Sequence, residues 1–127
     1  IGNFIETFLT LNDCYYDNIY VSSNKIIFKD GIAVGVDINI IHSLNKNEVS
    51  LPDNIKEKLS NRKNVLLLGD QISDLRMVDR SKHDHVYTNC FLCDENKSEL
   101  EAIRKQFDIV CEIGDNYFDL KKVLFSE

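Results

Sequence analysis

The sequence predicts an α/β fold, a parallel sheet flanked by helices with a β-hairpin insertion, and three observations carry that expectation. Val65, Leu66, Leu67 and Leu68 form an unbroken apolar run, the pattern of a strand covered on both faces in a parallel sheet. From Asn64 onward, strand-like and helix-like stretches alternate with short links, which is how parallel strands with helical crossovers are written. Asp30-Gly31 lies between two apolar runs and signals a tight hairpin.

Each element has its own local reason. Phe4, Ile5, Phe8, Leu9 and Leu11 share one helical stripe, so the spacing predicts a helix over 4–11. Residues 19–22 read as a strand, 25–29 and 33–37 as the arms of the hairpin, and 38–44 as an extended approach to Lys46. Pro52 suits the first turn of a helix reaching Leu59, with Asp53 at its positive end. Gly69 ends the apolar strand, and Asp74 opens a helix that Leu75, Met77 and Val78 continue. A strand over 86–92, a helix over 98–106, a strand over 109–111 and a helix over 117–124 complete a Rossmann-like order. No repeat, low-complexity tract or long linker interrupts it, so residues 1–127 are read as a single domain.

Composition narrows the function classes. A chain of 127 residues with 43% hydrophobic content can bury one core. Its net charge of −6, with lysines interleaved among acids, argues against a nucleic-acid polymer or an anionic lipid surface as partner, since both need a basic face. No apolar run approaches the roughly 20 residues that span a bilayer, and no signal peptide is visible, so a cytoplasmic location is expected.

The stretch from Asn64 to Met77 carries the chemistry. Asp70 stands just past the carboxyl end of a buried strand, where open α/β sheets bind ligands. Asp74 follows four positions later, so two carboxylates can converge on one small volume. A hard divalent cation such as Mg²⁺ takes a few carboxylate oxygens and keeps its other positions for water and substrate phosphate. The residues alone leave a second reading open, in which Gly69-Asp70 is a turn with a helix N-cap.

Cys90 and Cys93 form a C-x-x-C with His83 and His85 just upstream, the residue types of a zinc site. Residues three apart on a strand point to opposite faces, so the two sulfurs are not expected to meet one ion. Cys14 and Cys111 lie in apolar surroundings and are read as buried thiols, and four free cysteines suit a reducing compartment.

"LLGDQISDLRM" resembles the fourth signature motif of the haloacid dehalogenase superfamily, and most of all its form in the cytosolic pyrimidine 5′-nucleotidase group, cytosolic 5′-nucleotidase type three. "IIHSLNKNEVSL" is similar to that group's third motif, which places its lysine on Lys46. "IGNFIETFL" resembles the segment after the second motif's serine, and "DNIYVSSN" and "FDIVCEIGDNYFDLKKVLF" fit in order and spacing, so the likeness covers nearly the whole chain.

The resemblance implies Mg²⁺-dependent hydrolysis of a nucleoside monophosphate, with a pyrimidine one expected, by an aspartate that attacks phosphorus. It assigns catalytic roles to Lys46 and Asp74, Lys46 neutralising charge on the transferring phosphoryl and Asp74 orienting it or a metal-bound water. It assigns the metal oxygen to Asp70. The nucleophile belongs to a first motif, Asp-x-Asp-x-Thr, and no such run occurs in these residues. The chain is therefore expected to be the C-terminal portion of a haloacid dehalogenase-like nucleotidase core, lacking the first motif and the cap, and inactive alone. "QIS" between the two aspartates departs from the group's Ser-Gln-Gly. A 7-methylguanosine monophosphate preference would look the same in this segment. Two alternatives stay open: a non-catalytic homologue serving as a binding module, and a receiver-like signalling domain, against which the order of Lys46 before Asp70 counts.

Overall fold

The structure is a computed structural model that describes residues 2–112. The helix expected over 117–124 lies outside the described residues. Helix α1 (Gly2–Leu11) opens the chain. Its apolar stripe is not what fixes it, since Phe4 is 67% and Phe8 66% exposed. Polar staples hold it instead: the Asn3 side chain accepts from the Ile26 amide at 2.8 Å and Glu6 pairs with Lys25 at 2.8 Å. At its start the Gly2 amide donates to the Asn24 carbonyl at 2.8 Å.

The hairpin forms as expected, from β1 (Ile26–Lys29) and β2 (Ile32–Val36), antiparallel. Asp30 at φ 51° and Gly31 at φ 78° are both left-handed, the requirement of a type I′ turn whose twist matches that of the strands. Phe28 faces Ala33 whereas Ile27 faces Gly35, so Val34 is the extra residue of a bulge.

Two expectations upstream of Lys46 are corrected. Residues 19–22 make no strand; the Ile19 amide closes a turn onto the Tyr16 carbonyl at 2.9 Å, so no ladder is left for it to join. Residues 38–44 are irregular and end in a turn over 43–45. The side chain of Asn24 does there what a strand partner would do, donating to the Ile41 carbonyl at 2.8 Å and accepting the Ile41 amide at 2.6 Å.

Helix α2 (Asp53–Leu59) follows, with Pro52 as its N-cap rather than its first residue. The parallel sheet is built from β3 (Asn64–Gly69), β4 (His85–Leu92) and β5 (Ile109–Glu112), in that spatial order. Between β4 and β5 runs α3 (Leu100–Gln106), preceded by a 3₁₀ turn over Lys97–Glu99, so the expected helix over 98–106 is tighter in its first turn. Ile103 is fully buried and packs with Cys90, Leu92 and Phe107 in the core.

Below it, Asp108 Oδ2 accepts from both the amide and the hydroxyl of the fully buried Thr88, each at 2.8 Å. β3 is one of the two outer strands among the described residues, and its double cover is only half met: Leu67 is 7% exposed and Leu68 44%. An apolar strand is sheltered on both faces only where something packs on each, and among the described residues the Leu68 side is open. No helix among the described residues is long and apolar enough to cross a membrane.

Candidate functional site

The site grows from the end of β3. The chain leaves Gly69 and coils into a 3₁₀ segment over Ile72–Met77, so Asp74 sits inside a short tight coil and Val78 is already extended at φ −118°. The α-helix expected from Asp74 through Val78 is thus replaced by a tighter element. Its cause is visible in Asp74 itself, whose side chain turns back on the loop that it follows. Oδ2 accepts the amides of Asp70 at 3.0 Å and Gln71 at 3.2 Å, and Oδ1 accepts Lys46 Nζ at 3.2 Å.

This fold-back needs a residue without a Cβ at position 69. A Cβ built there would lie 2.7 Å from both Cβ and Oδ2 of Asp74, inside van der Waals contact. Gly69 is therefore required for close approach.

Asp74 is 7% exposed. Burial pushes its carboxyl up, but the amides of Asp70 and Gln71 and then the Lys46 ammonium outweigh that, and it ends below its ordinary value of 3.8. It is an anion held by two backbone donors and one cation.

Lys46 arrives from a loop made by side-chain-to-backbone bonds. Asn45 Oδ1 accepts the His42 amide at 2.7 Å, Asn45 Nδ2 donates to the Ile40 carbonyl at 2.9 Å, and Asn47 Oδ1 accepts the Ser50 amide at 3.2 Å. One residue further, Glu48 Oε1 bonds His83 Nε2 at 2.8 Å and accepts the Asp79 amide at 3.2 Å, clasping this loop to the segment after the 3₁₀ coil. The lysine stem remains half exposed, at 52%, with its head on Asp74.

Asp70 differs from Asp74 in every respect that matters to a cation. Its backbone is bonded at both ends, the amide to Asp74 and the carbonyl to Asn96 Nδ2, yet among the described residues nothing donates to its carboxylate. It is exposed, with both oxygens available. One free carboxylate beside an anchored one fits a Mg²⁺ ion that keeps most of its positions for water and phosphate. No three His, Cys, Asp or Glu side chains gather to hold a metal ion among the described residues.

The structure thus brings together Lys46, Asp70 and Asp74, the residues singled out from sequence. All four cysteines are free thiols. Cys90 is fully buried in β4, and its thiol is pushed up to about 11 by burial first and then by the negative charges of Asp70, Asp74 and Cys93. Cys111 is buried as expected, but Cys14 is exposed, because it follows the open face of α1 and, among the described residues, its thiol donates to the Asn12 carbonyl at 3.1 Å.

Residues missed from sequence are Glu48 and Asn96, and His83, weighed there only as a metal ligand, instead pairs with Glu48. The Glu48–His83 pair spans 35 positions and the Asn96–Asp70 bond 26, too far for any local pattern to show.

A family model described as pyrimidine 5′-nucleotidase (UMPH-1) matches residues 1–127. The 7-methylguanosine phosphate-specific 5′-nucleotidase B of Xenopus laevis is 34% identical over 113 residues, 87% of this chain and 39% of that protein. Its Drosophila melanogaster counterpart is 28% identical over 129 residues, 99% of this chain and 40% of that one. A crystal structure of cytosolic 5′-nucleotidase IIIB bound to cytidine matches with a TM-score of 0.80 at 28% identity, covering 98% of this chain and 43% of that chain. The chain spans about two-fifths of the length of the curated relatives it matches.

Proposed function

The chain belongs to the pyrimidine 5′-nucleotidase (UMPH-1) family, and on that premise we propose that the protein it forms part of hydrolyses nucleoside 5′-monophosphates with Mg²⁺. The observation that carries the reading is the arrangement at the end of β3: an anchored Asp74 aims Lys46, while the Asp70 carboxylate two bonded amides away stays free.

In this reading Lys46 contributes positive charge where the transferring phosphoryl group gathers negative charge, the electrostatic role that dominates phosphoryl transfer. Asp74 holds that charge in place, so its role is to orient. Asp70 gives an oxygen to Mg²⁺, which when bound would polarise a phosphate oxygen and shield its charge. The attacking aspartate is assigned by the resemblance to a segment outside this sequence, so activity belongs to the longer protein. Substrates follow the relatives' names: the Xenopus laevis and Drosophila melanogaster enzymes are both named for 7-methylguanosine phosphate and the matched crystal structure holds cytidine. A cytoplasmic setting is part of the same proposal.

The test is phosphate release by the full-length protein from cytidine and 7-methylguanosine monophosphates, with Mg²⁺ and with chelator. Asp70→Asn should raise the Mg²⁺ concentration needed for half-maximal rate. Lys46→Ala should lower kcat far more than it raises KM, because its charge matters most in the transition state. No Mg²⁺-dependent release from either nucleotide would overturn the function, and a Lys46→Ala protein with full turnover would return that lysine to a solvated loop.

A further inference from the structure

We infer that Asn96 is a positioning residue that holds the backbone from which the Asp70 side chain leaves, by clamping the Asp70 carbonyl from the turn between β4 and α3. The inference rests on the metal role proposed for Asp70.

Asn96 is 8% exposed, an uncommon place for an amide unless each of its polar atoms is used. All are used. Oδ1 accepts the Cys93 amide at 2.8 Å, while Nδ2 donates to the Phe91 carbonyl at 3.1 Å and to the Asp70 carbonyl. Those partners fix which end of the side chain is oxygen, since an N–H faces one end and two carbonyls face the other.

The bond to Asp70 has a consequence beyond satisfying an amide. The peptide joining Asp70 to Gln71 is held at its carbonyl by Asn96 and at its N–H by Asp74 Oδ2, 3.2 Å away. The Asp70 amide is held by the same Asp74 oxygen at 3.0 Å. A peptide unit is planar, so fixing it at both ends fixes the backbone rotation of Asp70 and the line along which its Cβ leaves the chain. The Asp70 carboxylate takes no donor among the described residues, so what is held there is the backbone from which the side chain leaves, and its two side-chain torsions stay free to meet a cation. Asp74 also answers to Lys46, whereas Asn96 serves no other part of the site. It ties the turn after β4 to the loop after β3, one step beyond the ladder that pairs Gly69 with Cys90.

The experiment uses the full-length protein and Asn96→Asp, which keeps the acceptor for Cys93 and puts a carboxylate oxygen where a donor faced two carbonyls. Hydrogen exchange in metal-free protein should show the Gln71 amide opening about tenfold faster, with Leu67 and Thr88 unchanged. Titration calorimetry should show Mg²⁺ binding weakened by about tenfold, the usual scale for losing a group that orients a metal ligand.

Unchanged exchange at Gln71 would overturn the clamp. Faster exchange with unchanged Mg²⁺ affinity, in a protein where Asp70→Asn does weaken Mg²⁺, would overturn the positioning role and leave the metal role standing. Unchanged affinity in Asp70→Asn would remove the metal role and the inference with it. Should Asn96→Asp not fold, the unaltered protein decides: the side-chain amide protons of Asn96 should exchange at least about tenfold more slowly than those of exposed Asn61, and equal rates would overturn the clamp.

Discussion

Gly69→Ala is the sharpest perturbation of the site, because it replaces no charged residue and still should dismantle the charge arrangement. The added methyl would sit 2.7 Å from Asp74 Cβ and 3.0 Å from Cγ. A clash with a carboxylate tip could be relieved by rotation, but Cβ is fixed to the backbone. The 3₁₀ coil itself must move by several tenths of an ångström or more. Overpacking of this kind costs about 1–3 kcal/mol. The three donors now on Asp74, at 3.0, 3.2 and 3.2 Å, would stretch together, and hydrogen bonds to a charged group are worth about 1.5–3 kcal/mol each.

Partial loss of these on top of the clash gives an expected destabilisation of about 2–5 kcal/mol in urea unfolding of the full-length protein, with nucleotidase turnover falling alongside. Gly35→Ala is the internal control, since a Cβ there meets nothing within 4 Å. If Gly69→Ala unfolds within about 0.5 kcal/mol of the parent, the range of an ordinary surface change, the close approach of Asp74 is not what the glycine is for.

Three further outcomes follow from the same structure. The carboxyl of Asp74 is held below 3.8, so the stability it confers is present above that value and is lost as pH falls through the lower folded value. The gap in unfolding free energy between the parent and Asp74→Asn should accordingly be full at pH 7 and close on acidification below 3.8; a gap constant with pH would contradict it. Thr88→Val leaves the fully buried position filled but removes the hydroxyl bonded to Asp108, with an expected cost of about 1–3 kcal/mol by thermal or urea unfolding. Cys90, buried with its thiol pushed up to about 11, should resist iodoacetamide at pH 8 in native protein and react once unfolded, as mass spectrometry of the labelled peptides would show.

What could be read in the sequence was whatever local physics dictates. The apolar run at Val65 to Leu68 and the Asp-Gly pair at 30–31 announce their strand and turn because the signal lies within a few residues. The meeting of Lys46 with Asp74 was legible only through the family likeness, since 28 residues separate them. Residues 19–22 misled because β-branched and aromatic residues suit a strand without guaranteeing a neighbour to pair with. Asp74 misled differently: its position announced a helix start, while its carboxylate, by reaching back to two amides, favoured a tighter coil. The exposed Cys14 shows the remaining gap, for apolar neighbours in sequence shelter a side chain only if something packs over them.

The outer place of β3 in the sheet has a practical consequence for handling the protein. Among the described residues its far side carries peptide groups that pair with no strand, next to a half-open Leu68. An apolar strand with a bare edge is a template on which a second chain can lay its own strand. Any preparation in which that edge stays uncovered should precipitate with rising concentration, and a lysine in place of Leu68 is the remedy that would keep it in solution.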